Sequence, residues 1–110
     1  MLDPAIDTIG LGGNSLRGPI PTEIGSMLNL RLVNLADNQL TGTIPAQLGN
    51  LPRLQSLMLS TNSFVESMPA EVCALTAVDL SHLSADCLEV VCPADCCTLC
   101  CVDGSEGHCE

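Results

Sequence analysis

The sequence predicts an α/β solenoid, in which each turn of a coil contributes one short strand and one short helical turn. Three observations lead to this fold class. The 110-residue sequence repeats with a period of 24, apolar residues keep the same columns in each repeat, and one Phe is the whole aromatic content. Aliphatic side chains must therefore form a core of small, regular layers, and the length allows one domain at most.

The repeat is visible in polar and apolar columns alike. Its polar markers, each spaced by 24 residues, are Asn14, Asn38 and Asn62, then Pro21, Pro45 and Pro69. Seven more columns are apolar in all three repeats, from Ile6, Leu30 and Leu54 at the start to Met27, Leu51 and Leu75 at the end. This periodicity predicts repeats over residues 1–86, with units near 6–29, 30–53 and 54–77, a degenerate unit over 78–86, and a cap over 87–110.

Each unit predicts one strand and one helical turn. Alternation around each L-x-L sends one side chain inward and the next outward, as in a strand that stacks on its counterpart to form a parallel sheet. The segments "PTEIG", "PAQLG" and "PAEVC" predict helical turns on the opposite, convex side, because Pro suits the first helical position. Gly25 and Gly49 suit the helix exit, where the third unit has Cys73.

The asparagine column has a predicted structural role. The amides of Asn14, Asn38 and Asn62 can satisfy backbone groups that an irregular coil leaves unpaired. In the degenerate unit we place Val78, Leu83 and Asp86 in the columns of Leu54, Leu59 and Asn62. An ionised Asp86 accepts hydrogen bonds but donates none, which suits a final turn with no repeat beyond it.

Two stretches resemble known proteins. "LRLVNLADNQLTGTIPAQLGNL" resembles a leucine-rich repeat of the plant type, with its L-x-G-x-I-P segment, as found in receptor-kinase ectodomains and polygalacturonase-inhibiting proteins. "LSHLSADCLEVVCPADCCTLCC" is similar to the ending of diatom leucine-rich repeat proteins, apart from extra residues between Cys92 and Cys96. The resemblance implies a horseshoe with a concave parallel sheet, convex helical or 3-10 turns and a disulfide-rich C-terminal cap.

Every cysteine of the chain lies in its last third: Cys73, Cys87, Cys92, Cys96, Cys97, Cys100, Cys101 and Cys109. An even count concentrated in one segment favours disulfides and an oxidising compartment, although the sequence does not choose the pairing. Two other interpretations stay open. "CTLC" has the C-x-x-C spacing of a redox site, and Cys96, Cys97, Cys100 and Cys101 offer zinc four thiolates. In that alternative, a metal-binding or redox module is appended to a structural scaffold.

The charge balance excludes several functions. A net charge of −10 without any Lys argues against nucleic-acid binding and rules out sites built on a P-loop or Schiff-base Lys. His82 has Asp79 and Asp86 nearby in sequence but no specified nucleophile. We therefore predict a non-catalytic protein without a cofactor or metal site.

The predicted location rests on what the termini contain. No apolar run is long enough to span a membrane, and the first residues lack a signal peptide, whereas the cysteines indicate export. We therefore expect this chain to be the C-terminal part of a longer cell-surface or secreted protein, whose upstream region the diatom resemblance associates with a transmembrane helix.

The predicted binding surface is the concave face of the sheet. Repeat proteins of this kind present variable side chains there on a rigid scaffold. The candidate contacts for a protein, peptide or glycan are Arg31, Asn34, Asp37, Gln55, Met58, Ser60 and His82. On this face we also predict one central column of Gly10, Asn34, Met58 and His82.

Overall fold

The computed structural model describes residues 5–86 and the backbone of residues 90–91 and 99–100. The predicted cap therefore lies largely outside the described residues. The pairing of Cys87, Cys92, Cys96, Cys97, Cys100, Cys101 and Cys109 stays a prediction, as do the proposed domain boundaries.

Short strands alternate with short helices along the chain. The strands are β1 Thr8–Gly10, β2 Arg17–Gly18, β3 Leu32–Asn34, β4 Gln39–Thr43, β5 Ser56–Met58, β6 Ser63–Ser67, β7 His82–Ala85, β8 Val90–Val91 and β9 Leu99–Cys100. The helices are the 3-10 helices η1 Thr22–Ser26, η2 Ala46–Asn50 and η3 Leu75–Ala77, with the α-helix α1 Ala70–Ala74 between the last two.

The strands form two parallel sheets. The larger has the order β1-β3-β5-β7-β9, and the smaller has the order β2-β4-β6-β8. The α/β solenoid with a parallel sheet and 3-10 turns is thus confirmed. The second sheet was not predicted; it forms from the L-x-G-x-I-P segment, whose Gly18 and Gly42 adopt φ of 85° and 80°. Glycine occupies this left-handed conformation without steric penalty.

The aliphatic columns form the core between the sheets and the helices. Layer after layer, the inward side chains are almost fully buried: Leu30, Val33, Leu48, Leu51, Leu54, Leu57, Leu59, Val72 and Leu83. The first coil differs, because Ile6 is 38% exposed and Leu11 is 43% exposed. The core is therefore closed around the second and third coils and open at the side of β1.

Glycines let the convex helices stack closely. A Cβ atom added to Gly25 would lie 2.6 Å from the carbonyl oxygen of Gln47, and one added to Gly49 would lie 2.5 Å from the Cβ of Glu71. Both distances are too short for a side chain, so each glycine lies at the point where its helix packs against the next convex helix. This explains the glycine column better than the helix exit that the sequence suggested.

The predicted alignment of the degenerate unit is wrong by two residues. Leu83 pairs with Leu57 rather than continuing the column of Leu59, and the buried Leu80, not the 69% exposed Val78, continues the column of Leu54. The hydrogen bonds explain the shift. The Leu54 amide donates to the carbonyl three residues back, whereas the Leu80 amide donates to Leu75, five residues back. Two additional residues in η3 therefore lengthen this turn.

Asn38 shows how the asparagine column holds neighbouring coils. Its Nδ2 donates to the carbonyl oxygen of Leu11 in the preceding coil at 2.9 Å and to that of Leu35 in its own coil at 3.0 Å. Its Oδ1 accepts from the backbone N–H groups of Asn14 and Leu16 at 3.0 and 2.9 Å. The side chain is buried with its donors and acceptor in use, so it replaces backbone pairing within the turn.

Asn62 repeats this pattern one coil later, and Asp86 ends it. The Asn62 Nδ2 donates to Leu35, and its Oδ1 accepts from the Leu40 N–H. The Asp86 carboxylate accepts from the N–H groups of Thr61 and Asn62 at 2.8 and 3.1 Å. Counting on from the Met58–Ser84 pair places Asp86 opposite Ser60 rather than in the column of Asn62. Its carboxylate still reaches the backbone of the preceding coil.

Candidate ligand-binding face

We call the outward surface of β1, β3, β5 and β7 the concave face. Middle residues such as Val33 and Leu57 point into the core, so the flanking residues of each strand face outward. The strand register arranges these residues in two rows, Thr8–Leu32–Ser56–His82 and Gly10–Asn34–Met58–Ser84. The face is therefore a small grid of side chains on a continuous backbone ladder.

The predicted column of Gly10, Asn34, Met58 and His82 is wrong at its last member. His82 pairs with Ser56 and so lies in the other row, while Ser84 takes the place beside Met58. The two additional residues in η3 cause this displacement as well. His82 is half-buried, and its Nε2 is a buried atom without a hydrogen-bond partner among the described residues.

Ser60 is not available as a ligand contact, contrary to the prediction. The side chain is 0% exposed because it lies beyond the end of β5, where the chain turns inward. Alternation along the strand suggested an outward position, because Ser60 lies two residues after the outward-facing Met58. Ser84 on β7 is equally buried, so the second row loses exposure towards the last strand.

Asn34 faces outward but is used within its own turn. Its Oδ1 accepts from the Ala36 N–H at 3.1 Å, and the amide lies over Gly12, where an added Cβ would be 3.2 Å away. The side chain therefore buttresses the turn after β3, with one donor group left for a ligand.

Arg31 and Gln55 are the exposed polar groups at the entrance to the strands. They adjoin each other, because the Gln55 N–H donates to the Arg31 carbonyl oxygen at 2.7 Å, just as the Arg31 N–H donates to Asp7 at 2.7 Å. Neither the guanidinium nor the side-chain amide makes a hydrogen bond or ion pair with any other described residue. Both are therefore available for a ligand.

An apolar centre adjoins these two polar groups. Leu32 and Met58 are half-buried on adjacent strands and stand diagonally to each other in the grid. Diagonal neighbours on a sheet lie close enough for long side chains to form one patch. Met58 was predicted as a contact, whereas Leu32, which lies on the same face, was not among the predicted contacts.

Asp37 lies at the opposite edge of the face, beyond the end of β3. It adopts φ of 57°, in the same column as Gly13 at 74° and Thr61 at 59°. The repeat therefore imposes a left-handed turn here, in which Asp is favoured over most other side chains. The exposed carboxylate marks the exit edge, as Arg31 marks the entrance edge.

The described residues contain no metal-binding cluster. Within residues 5–86 no group of three or more His, Cys, Asp or Glu side chains could hold a metal ion. None of the helices in this part of the chain is long and apolar enough to cross a membrane. The concave face has a small apolar patch and hydrogen-bonding groups without partners among the described residues. These features suit a surface that binds a ligand.

The comparisons agree with this architecture. A family model for the Leucine Rich Repeat matches residues 29–51, which cover most of the second unit. A search of curated proteins gave no match. Solved structures match more widely, and three are of particular interest.

The ectodomain of the Arabidopsis thaliana membrane receptor kinase GASSHO1/SCHENGEN3, in complex with CASPARIAN STRIP INTEGRITY FACTOR 2, is 39% identical with a TM-score of 0.70, over 79% of this chain and 10% of that one. The Arabidopsis receptor kinase HAESA, in complex with the peptide hormone IDA and the co-receptor SERK1, is 36% identical with a TM-score of 0.72. The match covers 79% of this chain and 14% of that one. The BIR3–SERK2 complex from Arabidopsis thaliana gives 37% identity and a TM-score of 0.62. The match covers 68% of this chain and 41% of that one.

Fold, repeat and comparisons together define the class as a leucine-rich repeat solenoid. More narrowly, the chain is a leucine-rich repeat protein of the plant type, with the second sheet that its L-x-G-x-I-P segments form. It spans only 10% and 14% of the two receptor-kinase ectodomains described above.

Proposed function

We propose that this chain is a non-catalytic recognition module, part of a longer receptor-like protein, that binds a protein, peptide or glycan through its concave face. The observation that carries the proposal is the uncommitted pair Arg31 and Gln55 beside the half-buried patch of Leu32 and Met58. An apolar centre with polar groups at its rim is the arrangement from which interfaces draw most of their affinity.

Solved neighbours support this function. The structures of GASSHO1/SCHENGEN3 and HAESA contain a bound factor or peptide hormone. HAESA is also in complex with the co-receptor SERK1, and BIR3 is in complex with SERK2. A concave parallel sheet suits such ligands, because a stiff solenoid holds its side chains in place before binding. Arg31, Gln55, Met58 and Asp37 are the contacts that we propose for this chain.

An extracellular location is part of the proposal. The neighbours include receptor ectodomains, and Cys73 is disulfide-bonded. Disulfides persist in oxidising compartments and are rare in the cytosol. The remaining cysteines are proposed to seal the C-terminal end of the leucine layer, in a parent protein that is secreted or membrane-anchored.

A peptide selection tests the binding face. A random-peptide phage library is selected on the immobilised chain, and the affinity of the enriched peptides is measured by biolayer interferometry. We expect Arg31→Glu and Met58→Ala each to weaken binding by roughly tenfold or more, because both remove groups at the proposed centre.

The matched control is Arg53→Glu, which reverses the same charge on an exposed loop outside the face. It is expected to leave affinity unchanged. Equal losses for Arg31→Glu and Arg53→Glu would indicate a general charge effect. Full retention of binding by both concave-face variants would contradict the proposed site.

A further inference from the structure

The three methionines among the described residues differ in burial. Met27 and Met68 are each 2% exposed and belong to the core, whereas Met58 is half-buried on the concave face. Alternation along the strand explains the difference, because Leu57 and Leu59 on either side of Met58 are 0% exposed and point into the core. Of the three, Met58 is therefore the methionine whose thioether an oxidant in solution can reach readily.

The partners of Met58 on the neighbouring strands leave its side chain uncovered. The strand register pairs Met58 with Asn34 on one side and with Ser84 on the other. Ser84 has a short side chain that is 0% exposed. The Asn34 amide lies over Gly12 in the preceding coil, where an added Cβ would be 3.2 Å from the amide nitrogen. Neither partner therefore extends over the Met58 side chain.

Other easily oxidised side chains in the described part of the chain are less available. The sequence has neither Trp nor Tyr, and its one Phe, Phe64, is 2% exposed. Sulfur is the most easily oxidised element in protein side chains, and Cys73 is already oxidised, because it is disulfide-bonded. Among the described residues, Met58 is thus the side chain at which an oxidant would react first.

We propose that Met58 is a selective oxidation site, at which a peroxide converts the thioether to a sulfoxide and so weakens ligand binding to the concave face. The sulfur supplies an electron pair, one peroxide oxygen forms the new S–O bond, the O–O bond breaks and the other oxygen leaves as water. The effect on binding rests on the proposed function of the concave face, whereas the selectivity of the oxidation does not.

The sulfoxide changes the apolar centre of the face. Met58 forms a patch with Leu32, and β5 is the middle strand in the order β1-β3-β5-β7-β9. Oxidation makes this apolar side chain polar, so an apolar group of a ligand would meet an oxygen whose hydration has to be removed. The centre of an interface is also where a changed side chain costs the most affinity.

A peptide map after brief exposure to hydrogen peroxide tests the site without any ligand. Trypsin and a Glu-specific protease place the three described methionines on separate fragments, 24–31, 54–66 and 67–71, and leave Met1 on fragment 1–17. We expect the sulfoxide to form in fragment 54–66 roughly tenfold or more faster than in fragments 24–31 and 67–71, because a buried methionine reacts only when the chain opens locally. In urea the three rates are expected to become equal. Equal rates in the folded chain would overturn the proposal.

Hydrophobic-interaction chromatography measures the change in the apolar patch, again without a ligand. The oxidised chain is expected to elute earlier than the untreated chain, because the sulfoxide is polar. The variant Met58→Leu has no thioether at this position and keeps the other methionines, so its elution is expected to shift far less. An equal shift of the two proteins would assign the change to another methionine and count against the proposal.

Biolayer interferometry with the peptides selected on the concave face measures the consequence for binding. Peroxide is expected to raise the Kd of the original chain by roughly tenfold. Met58→Leu is expected to have the same Kd with and without peroxide, whatever its starting value. Met68→Leu is the matched control, since it removes a buried methionine and should keep the full sensitivity. An equal loss of affinity by Met58→Leu, or full binding by the chain oxidised at Met58, would overturn the proposal.

The oxidation site and the proposed function fail in different ways. If no selected peptide binds the concave face, the proposed function fails, and with it the effect on binding, while the peptide map still decides whether Met58 is oxidised selectively. If peptides bind at the face but the map shows equal oxidation of the three methionines, the oxidation site fails while the proposed function stands.

Discussion

At the scale of single residues, the buried amides and carboxylates carry the turns of this solenoid. Asn38 joins two coils through both ends of its amide, and Asp86 closes the last coil with two accepted N–H groups. Each of these side chains replaces hydrogen bonds that the tight turn denies to the backbone. Their loss leaves buried donors and acceptors without partners, which costs more than the bonds themselves contribute.

Asn38→Ala is therefore expected to destabilise the chain strongly. It leaves the N–H groups of Asn14 and Leu16 without an acceptor, at a cost of roughly 3 kcal/mol or more. Urea denaturation followed by circular dichroism measures the change. Asn14→Ala is the matched control, since the same substitution one coil earlier removes no bond to another coil. A loss below that of the control would contradict the role assigned to Asn38.

Asp86→Asn tests the end of the column. An asparagine offers one oxygen where the carboxylate offers two, so the Thr61 or the Asn62 N–H loses its acceptor. We expect a loss of about 1–3 kcal/mol in unfolding free energy. Asp79→Asn changes the same charge at an exposed position and is expected to be neutral. Equal effects of the two substitutions would attribute the loss to charge rather than to hydrogen bonding.

At the scale of secondary-structure elements, the spacing of the convex helices depends on glycine. The helix η2 lies against η1 at Gly25, and α1 lies against η2 at Gly49, in both cases too close for a Cβ atom. The two additional residues in η3 show the opposite case, because they lengthen the turn and move β7 by two positions relative to the 24-residue period.

Gly49→Ala is expected to push α1 away from η2. The new methyl group would overlap the Cβ and the backbone of Glu71. These atoms cannot move aside as the end of a flexible side chain could. Overpacking of this kind costs about 1–3 kcal/mol. Gly10→Ala is the control, because nothing lies within 4 Å of an added Cβ there. Equal stability of both variants in urea would contradict the close helix packing.

At the scale of the whole molecule, the two ends of the stack differ while its middle repeats. A repeat cannot bury its apolar side alone, so stability comes from the contacts between neighbouring coils. The second and third coils have such contacts on both sides and contain the most deeply buried leucines. Among the described residues, the first coil has them on one side only, and its Ile6 and Leu11 side chains are correspondingly more exposed.

Thiol accessibility tests the predicted disulfide cap and its metal-binding alternative. If the cysteines form disulfides, an alkylating reagent should modify none of the eight in the native mass spectrum and all eight after reduction. The reduced chain should also unfold at a lower temperature, because bridges of this kind stabilise by about 2–4 kcal/mol each. Alkylation without reductant, together with zinc in the native protein, would favour the metal-binding module instead.

The sequence by itself determined the repeat, the inward leucine columns and the parallel sheet, because each depends on a period that can be counted. It also indicated the asparagine column, since an amide at one fixed place in every turn has few other uses. These features are local or recur at a constant spacing. They do not depend on knowing which residues finally touch.

Only the tertiary structure decided the positions of residues where the 24-residue spacing fails or where neighbouring coils pack closely. His82, Leu83 and Asp86 lie two residues off the 24-residue period because the turn after α1 is longer. The L-x-x-L spacing of Leu80 and Leu83 shows this register, but counting by 24 conceals it. Ser60 is buried although alternation along the strand places it outward. The glycine column reflects helices that press together across 24 residues. Such contacts are set by packing between coils, which periodicity predicts in general but cannot resolve atom by atom.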